Sequence, residues 1–429
     1  MNHVPAWSIP EATLYTGDAV DTVAGWPAES IDCVVTSPPY YGLRDYRTGR
    51  WVGGDPACAH SVGRGTNIPH TTGAAPGYPA SPAHRGGDPQ TCRRCGARRV
   101  DRQYGLEPTP ADYVDHLRAL FAQLRRVLTP TGTVWLNLGD SYSAEPPGRS
   151  SHAMRNSTLS GVAAAAVLRE QVRSAGVNRT RTVPRKNLLG MPWRVALALQ
   201  ADGWVLRNAV VWAKRNPMPE SVRDRLSTTY EFVFLLTANP TYHFDLDAIR
   251  VPPRRPEALA TDIPGGGPHV TEGTELGARA RRRNRSVNGD GNRNGKYRGS
   301  AVFARGNHGA AMLPGHPHKS AHPRGKNPGD VWQMFTRPLR EAHFAAFPID
   351  LPLRCIAAGC PPGGVVLDPF SGAATTGLAA IRLGRRYVGI ELNASYNQLA
   401  KDRLLQARGQ TGRTAYSDGR APTADGEIR

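Results

Sequence analysis

The sequence predicts an α/β protein built on a parallel sheet and interrupted by inserted loop modules. Three observations carry this. The block from about Asp330 to Leu405 reads as helix (Ile349 to Ala358), strand (Val365 to Leu367), small-residue turn, helix and strand (Tyr387 to Ile390), which is a βαβ unit. The runs Ile31 to Val35, Val205 to Trp212 and Tyr230 to Thr237 have the apolar content of strands covered on both faces. Long Gly-, Pro- and Arg-rich stretches without periodicity separate these blocks.

The chain opens with a short strand, Ala12 to Tyr15, then Thr16-Gly17-Asp18 and a helical stretch. The strand Ile31 to Val35 runs into Thr36-Ser37-Pro38-Pro39-Tyr40, where two prolines end it. From Arg44 to about Tyr104 the composition is that of an inserted loop or a small metal-held module. Thr109-Pro110-Ala111-Asp112 starts a helix whose Val114, Leu117, Leu120, Phe121, Leu124 and Leu128 recur at helical spacing. Pro130-Thr131-Gly132 is expected to stop it before a strand from Thr133 to Leu138. A polar, basic excursion covers Ser143 to Lys186, and a helix is expected around Pro192 to Gln200. Between Pro252 and Lys326 hydrophobic residues nearly vanish and arginines cluster, as in Arg279-Ala280-Arg281-Arg282-Arg283. The tail after Gln406 is polar and expected to be disordered.

The chain has 429 residues, 54 Lys and Arg against 35 Asp and Glu, and a net charge of +19, which points to a polyanionic partner, nucleic acid first. No apolar run approaches the length of a membrane span, and Met1 to Pro10 lacks the pattern of a secretory signal, so an intracellular, cytoplasmic protein is expected. Six cysteines in a chain of this length do not make a disulfide scaffold.

Two constellations carry chemistry. The first is Asp368-Pro369-Phe370-Ser371-Gly372, with Thr375 opening the next helix and Glu391 ending the next strand. Small residues let backbone approach a ligand, and an acid at the second strand tip can accept from both ribose hydroxyls. The turn lacks the glycine pattern of a pyrophosphate loop and offers Asp368 instead, which suits a cationic ligand with an amino-acid end, such as S-adenosylmethionine. The second is Ser37-Pro38-Pro39-Tyr40 at the end of a buried strand. An exocyclic base amine is a poor nucleophile until acceptors on its N–H bonds free its lone pair; the Ser37 hydroxyl and Pro38 carbonyl can accept, and Tyr40 offers a flat face to an unstacked base. A third group, Cys58 and His60 with Cys92 and Cys95, has tetrahedral zinc ligands at the two ends of the insertion, with His70 or His84 as substitutes.

These motifs resemble the amino-methyltransferase family of restriction-modification and related DNA methylases. The resemblance implies a Rossmann-like, S-adenosylmethionine-dependent fold. Because the Pro-Pro-Tyr motif precedes the Asp-Pro-Phe turn, it is similar to the beta subgroup, in which the cofactor half is circularly permuted to the C-terminus. It implies that Asp18 lies near the adenine ring and that Phe344, Phe347 and Pro348, within His343 to Pro348, form an additional cofactor-binding segment. Residues 1–43 are then a catalytic half and 105–240 core carrying the excursion 143–186, while the insertion 44–104, a candidate zinc-binding module or else a loop with free thiols, lies outside the resemblance. Residues 241–326 are the candidate target-recognition region, 327–405 the cofactor half and 406–429 a tail. Double-stranded DNA is the implied partner and a cognate restriction endonuclease a further one, in a bacterial or phage-encoded setting. The oligomeric state is left open. Serine before Pro-Pro-Tyr resembles cytosine-N4 members, with adenine N6 as the alternative and a non-catalytic DNA-binding relative as a second class. C5-cytosine chemistry would need a thiolate at that turn, and none is there.

Overall fold

A computed structural model of the chain describes residues 4–46, 48–60, 91–143, 183–252, 322, 324–336 and 347–411. The basic runs 149–182 and 253–321, the alternative ligands His70 and His84, and Phe344 lie outside the described residues. The chain divides into two compact units, Met1–Ala248 with Gly329–Arg429, and Ile249–Pro328. Within the second unit, an isolated bridge pairs Val251 with Lys326.

The first unit holds a nine-stranded sheet. In chain order its strands are β1 (Trp7–Ile9), β2 (Ala12–Thr16), β3 (Ile31–Thr36), β6 (Leu128–Leu138), β7 (Val205–Lys214), β8 (Tyr230–Thr237), β9 (Val331–Met334), β10 (Val365–Asp368) and β11 (Arg386–Glu391). Two more, β4 (Arg50–Val52) and β5 (Arg98–Val100), make a separate hairpin. The order in the large sheet is β1-β2-β11-β10-β3-β6-β8-β7-β9, parallel from β2 to β6, with β8 antiparallel between β6 and β7. The C-terminal βαβ unit therefore sits in the middle of the sheet and pairs with the N-terminal β2, Glu391 opposite Thr16. That is the circularly permuted, Rossmann-like arrangement the motif order implied.

Helices α1 (Ala19–Ala24), α2 (Pro110–Val127) and α3 (Met191–Ala201) pack together, as do α4 (Asp350–Gly359), α5 (Thr375–Arg382) and α6 (Ala394–Thr411). β3 shows why both sets are needed: Cys33, Val34 and Val35 are all buried, so neither face of the strand meets water. α2 begins at a capping box, Thr109 and Asp112 each accepting from the other's backbone N–H, with Pro110 at the first helical position. Its Leu117, Leu120, Phe121 and Leu124 are fully buried, each contributing roughly 1.5–3 kcal/mol relative to exposure.

The structure corrects the sequence reading at three places. Pro130-Thr131-Gly132 does not separate helix from strand: β6 starts at Leu128 and runs through it, with a register shift opposite Ile31 and Cys33 that accommodates the extra residues. The polar tail begins later than Gln406, because α6 continues to Thr411. Asp330 to Met334 contributes an edge strand, β9, beside β7.

Every parallel strand ends on the same edge of the sheet. The chain leaves β10 through α5 toward β11 and leaves β3 through α2 toward β6, in opposite directions, so a crevice opens between the ends of two neighbouring strands.

Candidate active site

Thr36 ends β3 and Asp368 ends β10, and the register that pairs Val34 with Leu367 brings them together. The Thr36 hydroxyl donates to Asp368 Oδ1 at 2.7 Å, the Phe370 N–H donates to the same oxygen at 3.0 Å, and Thr376 Oγ1 donates to Oδ2 at 2.8 Å. Asp368 therefore ties the first residue before Ser37 to the turn and to the start of α5. Burial raises its carboxyl to about 6, against the pull of those three donors.

The turn after β10 passes through left-handed backbone twice, at Gly372 (φ 50°) and Ala374 (φ 55°). Ala374 is fully buried there, a conformation costing a non-glycine residue about 1 kcal/mol. Ala374→Gly is expected to leave the stability of the ligand-free protein within about 1 kcal/mol in urea titration, since the backbone strain it relieves is offset by one lost buried methyl and by the freedom it adds to the unfolded chain. The Gly372 N–H donates to Glu391 Oε2 and the Asn393 N–H to Oε1, each at 2.8 Å. These amides hold the carboxylate at the end of β11, and burial, opposed by them and reinforced by the charge of Asp368, raises it to about 7. The Gly17 N–H donates to the Glu391 carbonyl at 3.0 Å, so Asp18 follows directly; its side chain caps α1, accepting from Val20 N and Asp21 N.

These elements line one cleft of about 850 Å³, open to solvent, that takes in Asp18, Ser37, Pro39, Phe347, Ser371, Thr375 and Glu391 together with the Asp368-Pro369-Phe370 turn. Its walls are mainly apolar, with three carboxylates spaced around them. That donor set fits S-adenosylmethionine: aromatic surface for adenine, an acceptor for ribose hydroxyls at a strand tip, and anionic surroundings for a cation. Pro348 is buried beside Phe347 but does not line the cleft.

One wall comes from residues that sequence reasoning left out. Tyr46, Thr48, Arg102, Gln103 and Tyr104 belong to the two ends of the insertion, yet they line the cleft. Tyr104 stands edge-on to Phe370, ring centroids 4.9 Å apart, and stacks on His116 at 3.8 Å. No motif marks them; two aromatics closing a low-complexity insertion were the available signal.

The Pro-Pro-Tyr segment is fixed from several sides. Tyr113 on α2 donates its hydroxyl to the Pro39 carbonyl at 2.9 Å. Tyr40 Oη donates to Glu231 Oε2 at 2.5 Å, Asn137 Nδ2 donates to the same oxygen at 3.1 Å, and Lys214 Nζ pairs with Glu231 Oε1 at 2.6 Å. Ser37 Oγ donates to Tyr40 Oη at 3.4 Å. Burial first, and then the Glu231 charge, keep the Tyr40 phenol protonated well above its usual range. Asn137, Lys214 and Glu231 lie on β6, β7 and β8, at the active-site edge, and had no signature in the sequence. The ring of Tyr40 lies against Gly139, where a Cβ would stand 2.5 Å from Tyr40 Cε2. Gly139→Ala is expected to lower methyl transfer at least tenfold with cofactor affinity retained, measured by single-turnover transfer beside calorimetry.

Cys58, His60, Cys92 and Cys95 are also brought together, their ligand atoms within 4.8 Å of one another. Cys33 is a buried core residue of β3.

The fold and this site define an amino-methyltransferase of DNA. A family model described as DNA methylase, of the N6 and N4 methyltransferases, matches residues 31–402, and the chain belongs to that family. It is a DNA methyltransferase with S-adenosylmethionine as methyl donor. It is 30% identical over 393 residues to the type II methyltransferase M.Cfr9I of Citrobacter freundii, covering 92% of this chain and 87% of that one. To the type II methyltransferase M.XycI of Xanthomonas campestris pv. cyanopsidis it is 31% identical over 395 residues, with 92% and 87% covered. Among solved structures, the cytosine-N4-specific PvuII DNA methyltransferase aligns with a TM-score of 0.47 and 14% identity over 95% of each chain. Among the described residues no helix is long and apolar enough to cross a membrane.

Proposed function

We propose that the protein methylates the exocyclic N4 of cytosine in double-stranded DNA, on a base turned out of the helix to meet Ser37 at the edge where β3 ends. The observation that supports this most is the hydrogen-bonded chain from Ser37 through Tyr40 to Glu231. Because the Ser37 proton is directed to Tyr40 and the Tyr40 proton to Glu231, the Ser37 lone pairs are left for the N–H of an incoming amine. Accepting from that N–H, together with the Pro38 carbonyl, favours a pyramidal nitrogen with its lone pair free to attack. The bound cofactor supplies an electrophilic methyl group on a sulfonium. Glu391 would hold its ribose, the Asp368 to Gly372 turn its amino-acid end, and Asp18 and Phe347 its adenine. The serine at the first motif position resembles that of the family's cytosine-N4 members, which supports cytosine N4 over adenine N6.

Nucleoside mass spectrometry of duplex DNA incubated with the protein and S-adenosylmethionine tests the reading. N4-methylcytosine is the expected product; N6-methyladenine would overturn the choice of base and keep the site. The relatives' type II names support a modification enzyme with a cognate endonuclease of the same specificity, working inside a bacterial or phage-infected cell. The basic stretches at 149–186 and 241–326 are where phosphate contacts and target recognition are placed on this reading.

The raised carboxyls give the cofactor site a pH dependence. Asp368 at about 6 and Glu391 at about 7 both lie above the unfolded range, so the folded, ligand-free protein holds more protons between about pH 4 and 7 and these groups stabilise it less as pH rises through that window. A cationic ligand favours the ionised forms. Cofactor affinity is therefore expected to rise about tenfold or more from pH 5.5 to pH 8, with proton release on binding near pH 6. Calorimetry in buffers of different ionisation enthalpy measures both, and a flat affinity would remove these carboxylates from the site.

A further inference from the structure

Among the described residues of the insertion between β3 and α2, few apolar side chains beyond Cys92, Ala97 and Tyr104 are buried. Its hairpin pairs three residues with three, Arg50 opposite Val100, Trp51 opposite Arg99 and Val52 opposite Arg98, and a two-stranded ribbon of that length is marginal by itself. At its far end two tight turns face one another. In one, the Cys58 N–H donates to the Asp55 carbonyl at 3.1 Å and the Ala57 N–H to Asp55 Oδ1 at 2.9 Å. In the other, the Cys92 N–H donates to Ala97 O at 2.7 Å and the Gly96 N–H to Cys92 O at 2.9 Å, with Gly96 at φ 72°. The turns present Cys58 Sγ 4.0 Å from Cys92 Sγ and Cys95 Sγ 3.3 Å from His60 Nδ1. A tetrahedral ion with Zn–S near 2.3 Å and Zn–N near 2.0 Å sets its ligand atoms about 3.5–3.8 Å apart, and these separations bracket that range. A disulfide needs about 2.05 Å between sulfurs and would leave a third thiol and an imidazole unexplained. The His60 ring lies 4.9 Å from Trp51, centroid to centroid, which anchors the ligand to β4.

We propose that Cys58, His60, Cys92 and Cys95 bind one structural zinc ion, and that this ion holds the wall of the cofactor cleft in place without touching the cofactor. The second half rests on the reading of that cleft given above. The base of the hairpin is continuous with the wall: Thr48 Oγ1 donates to Asp101 Oδ1 at 2.7 Å, and the Gln103 N–H to the same oxygen at 3.1 Å. The Tyr46 N–H donates to Gln103 Oε1 at 2.5 Å, and Gln103 Nε2 to the Arg44 carbonyl at 2.8 Å. Tyr46, Thr48, Gln103 and Tyr104 all line the cleft. Without the ion, the wall would rest on these bonds, the short hairpin and the packing of Tyr104 on His116 and Phe370, and ligand binding would have to supply more of the ordering.

The test begins with elemental analysis of the full-length protein expressed in zinc-replete medium and dialysed without chelator. About one zinc per chain is expected for the wild type and for a Cys33→Ser control, and a large deficit for Cys95→Ser and His60→Ala. Cobalt substituted for zinc should show the absorption of a tetrahedral, thiolate-ligated ion, lost in the same two variants. In case those variants fold poorly, zinc is also stripped from the wild type with a thiol-reactive mercurial and a chelator, and restored with dithiothreitol and zinc. S-Adenosylmethionine affinity by calorimetry should fall about tenfold or more on stripping and return on restoration, with far-ultraviolet circular dichroism of the core retained. Wild-type protein without stoichiometric zinc overturns the metal site. Zinc present but affinity unchanged on its removal overturns the coupling to the cleft. Zinc present with no cofactor binding in any state overturns the reading of the cleft while leaving the metal site standing.

Discussion

Ser37→Ala is expected to lower the methyl-transfer rate by about 10²–10³-fold, the scale of removing one preorganised polar group from a reacting centre, while leaving S-adenosylmethionine affinity within about twofold. Ser37 lines the cleft, but its hydroxyl is committed to Tyr40 rather than to the Asp368 or Glu391 hydrogen bonds that shape the cofactor end. Alanine removes the acceptor for the amine N–H and leaves those bonds alone. Glu231→Gln should give a smaller loss of the same kind: Glu231 is a positioning residue, since it aims the Tyr40 hydroxyl, and an amide can still accept from it. Its rate loss should appear in kcat with KM for S-adenosylmethionine unchanged. Single-turnover transfer to duplex DNA, alongside calorimetry with the cofactor, separates the two effects. A loss of cofactor affinity in Ser37→Ala as large as its loss of rate would sink this division of roles.

The fold was legible wherever burial on both faces forced an apolar run. β3, β8, β10 and β11 each fill the interior of the sheet, so composition alone marks them, and α2 declares itself by its cap and its stripe; β7 has the same apolar run, but only Val210 and Trp212 are buried and Arg207 and Asn208 are exposed. β6 was misread at its start because a proline and a glycine usually end an element, whereas here a register shift absorbs them inside the strand. β9 was missed because an edge strand of four residues with Val331 exposed has no apolar run to show. The site divides in the same way. Asp368, Glu391 and the Ser37 to Tyr40 segment sit at strand ends where local sequence sets local geometry. Asn137, Lys214 and Glu231 meet only because β6, β8 and β7 are neighbours in the sheet, and Tyr46 meets Gln103 across more than fifty residues of insertion. Such contacts are tertiary, and no spacing in the chain encodes them. Phe344 was assigned by resemblance and lies outside the described residues, so only Phe347 of that segment is seen at the cleft.

Asp368→Ala is expected to weaken S-adenosylmethionine by about ten- to a hundredfold, or about 1.4–2.8 kcal/mol, and to slow methyl transfer as well. The sequence alone suggests a carboxylate facing the ligand, but its oxygens take bonds from Thr36, Thr376 and the Phe370 amide. Asp368 thus acts as the brace between two motifs 332 residues apart in the chain. Alanine leaves three buried donors without that acceptor, which frees the turn that cradles the cofactor and, through Thr36, the backbone that presents Ser37. Thr36→Val cuts only the link to Ser37 and should lower the rate more than the affinity. Because the two changes act on one network, their effects on rate should fall short of additive by about 0.5 kcal/mol or more in a double-mutant cycle, whereas Asp368→Ala and Gly139→Ala should combine more nearly independently. Asp368→Asn adds a separate readout. It removes a buried charge that is costly at neutral pH yet keeps hydrogen-bonding atoms for the two hydroxyls, so the ligand-free protein should melt higher at pH 8 while cofactor affinity falls. A variant that melted lower and bound the cofactor normally would show that Asp368 braces the fold and contributes nothing to the cation's surroundings.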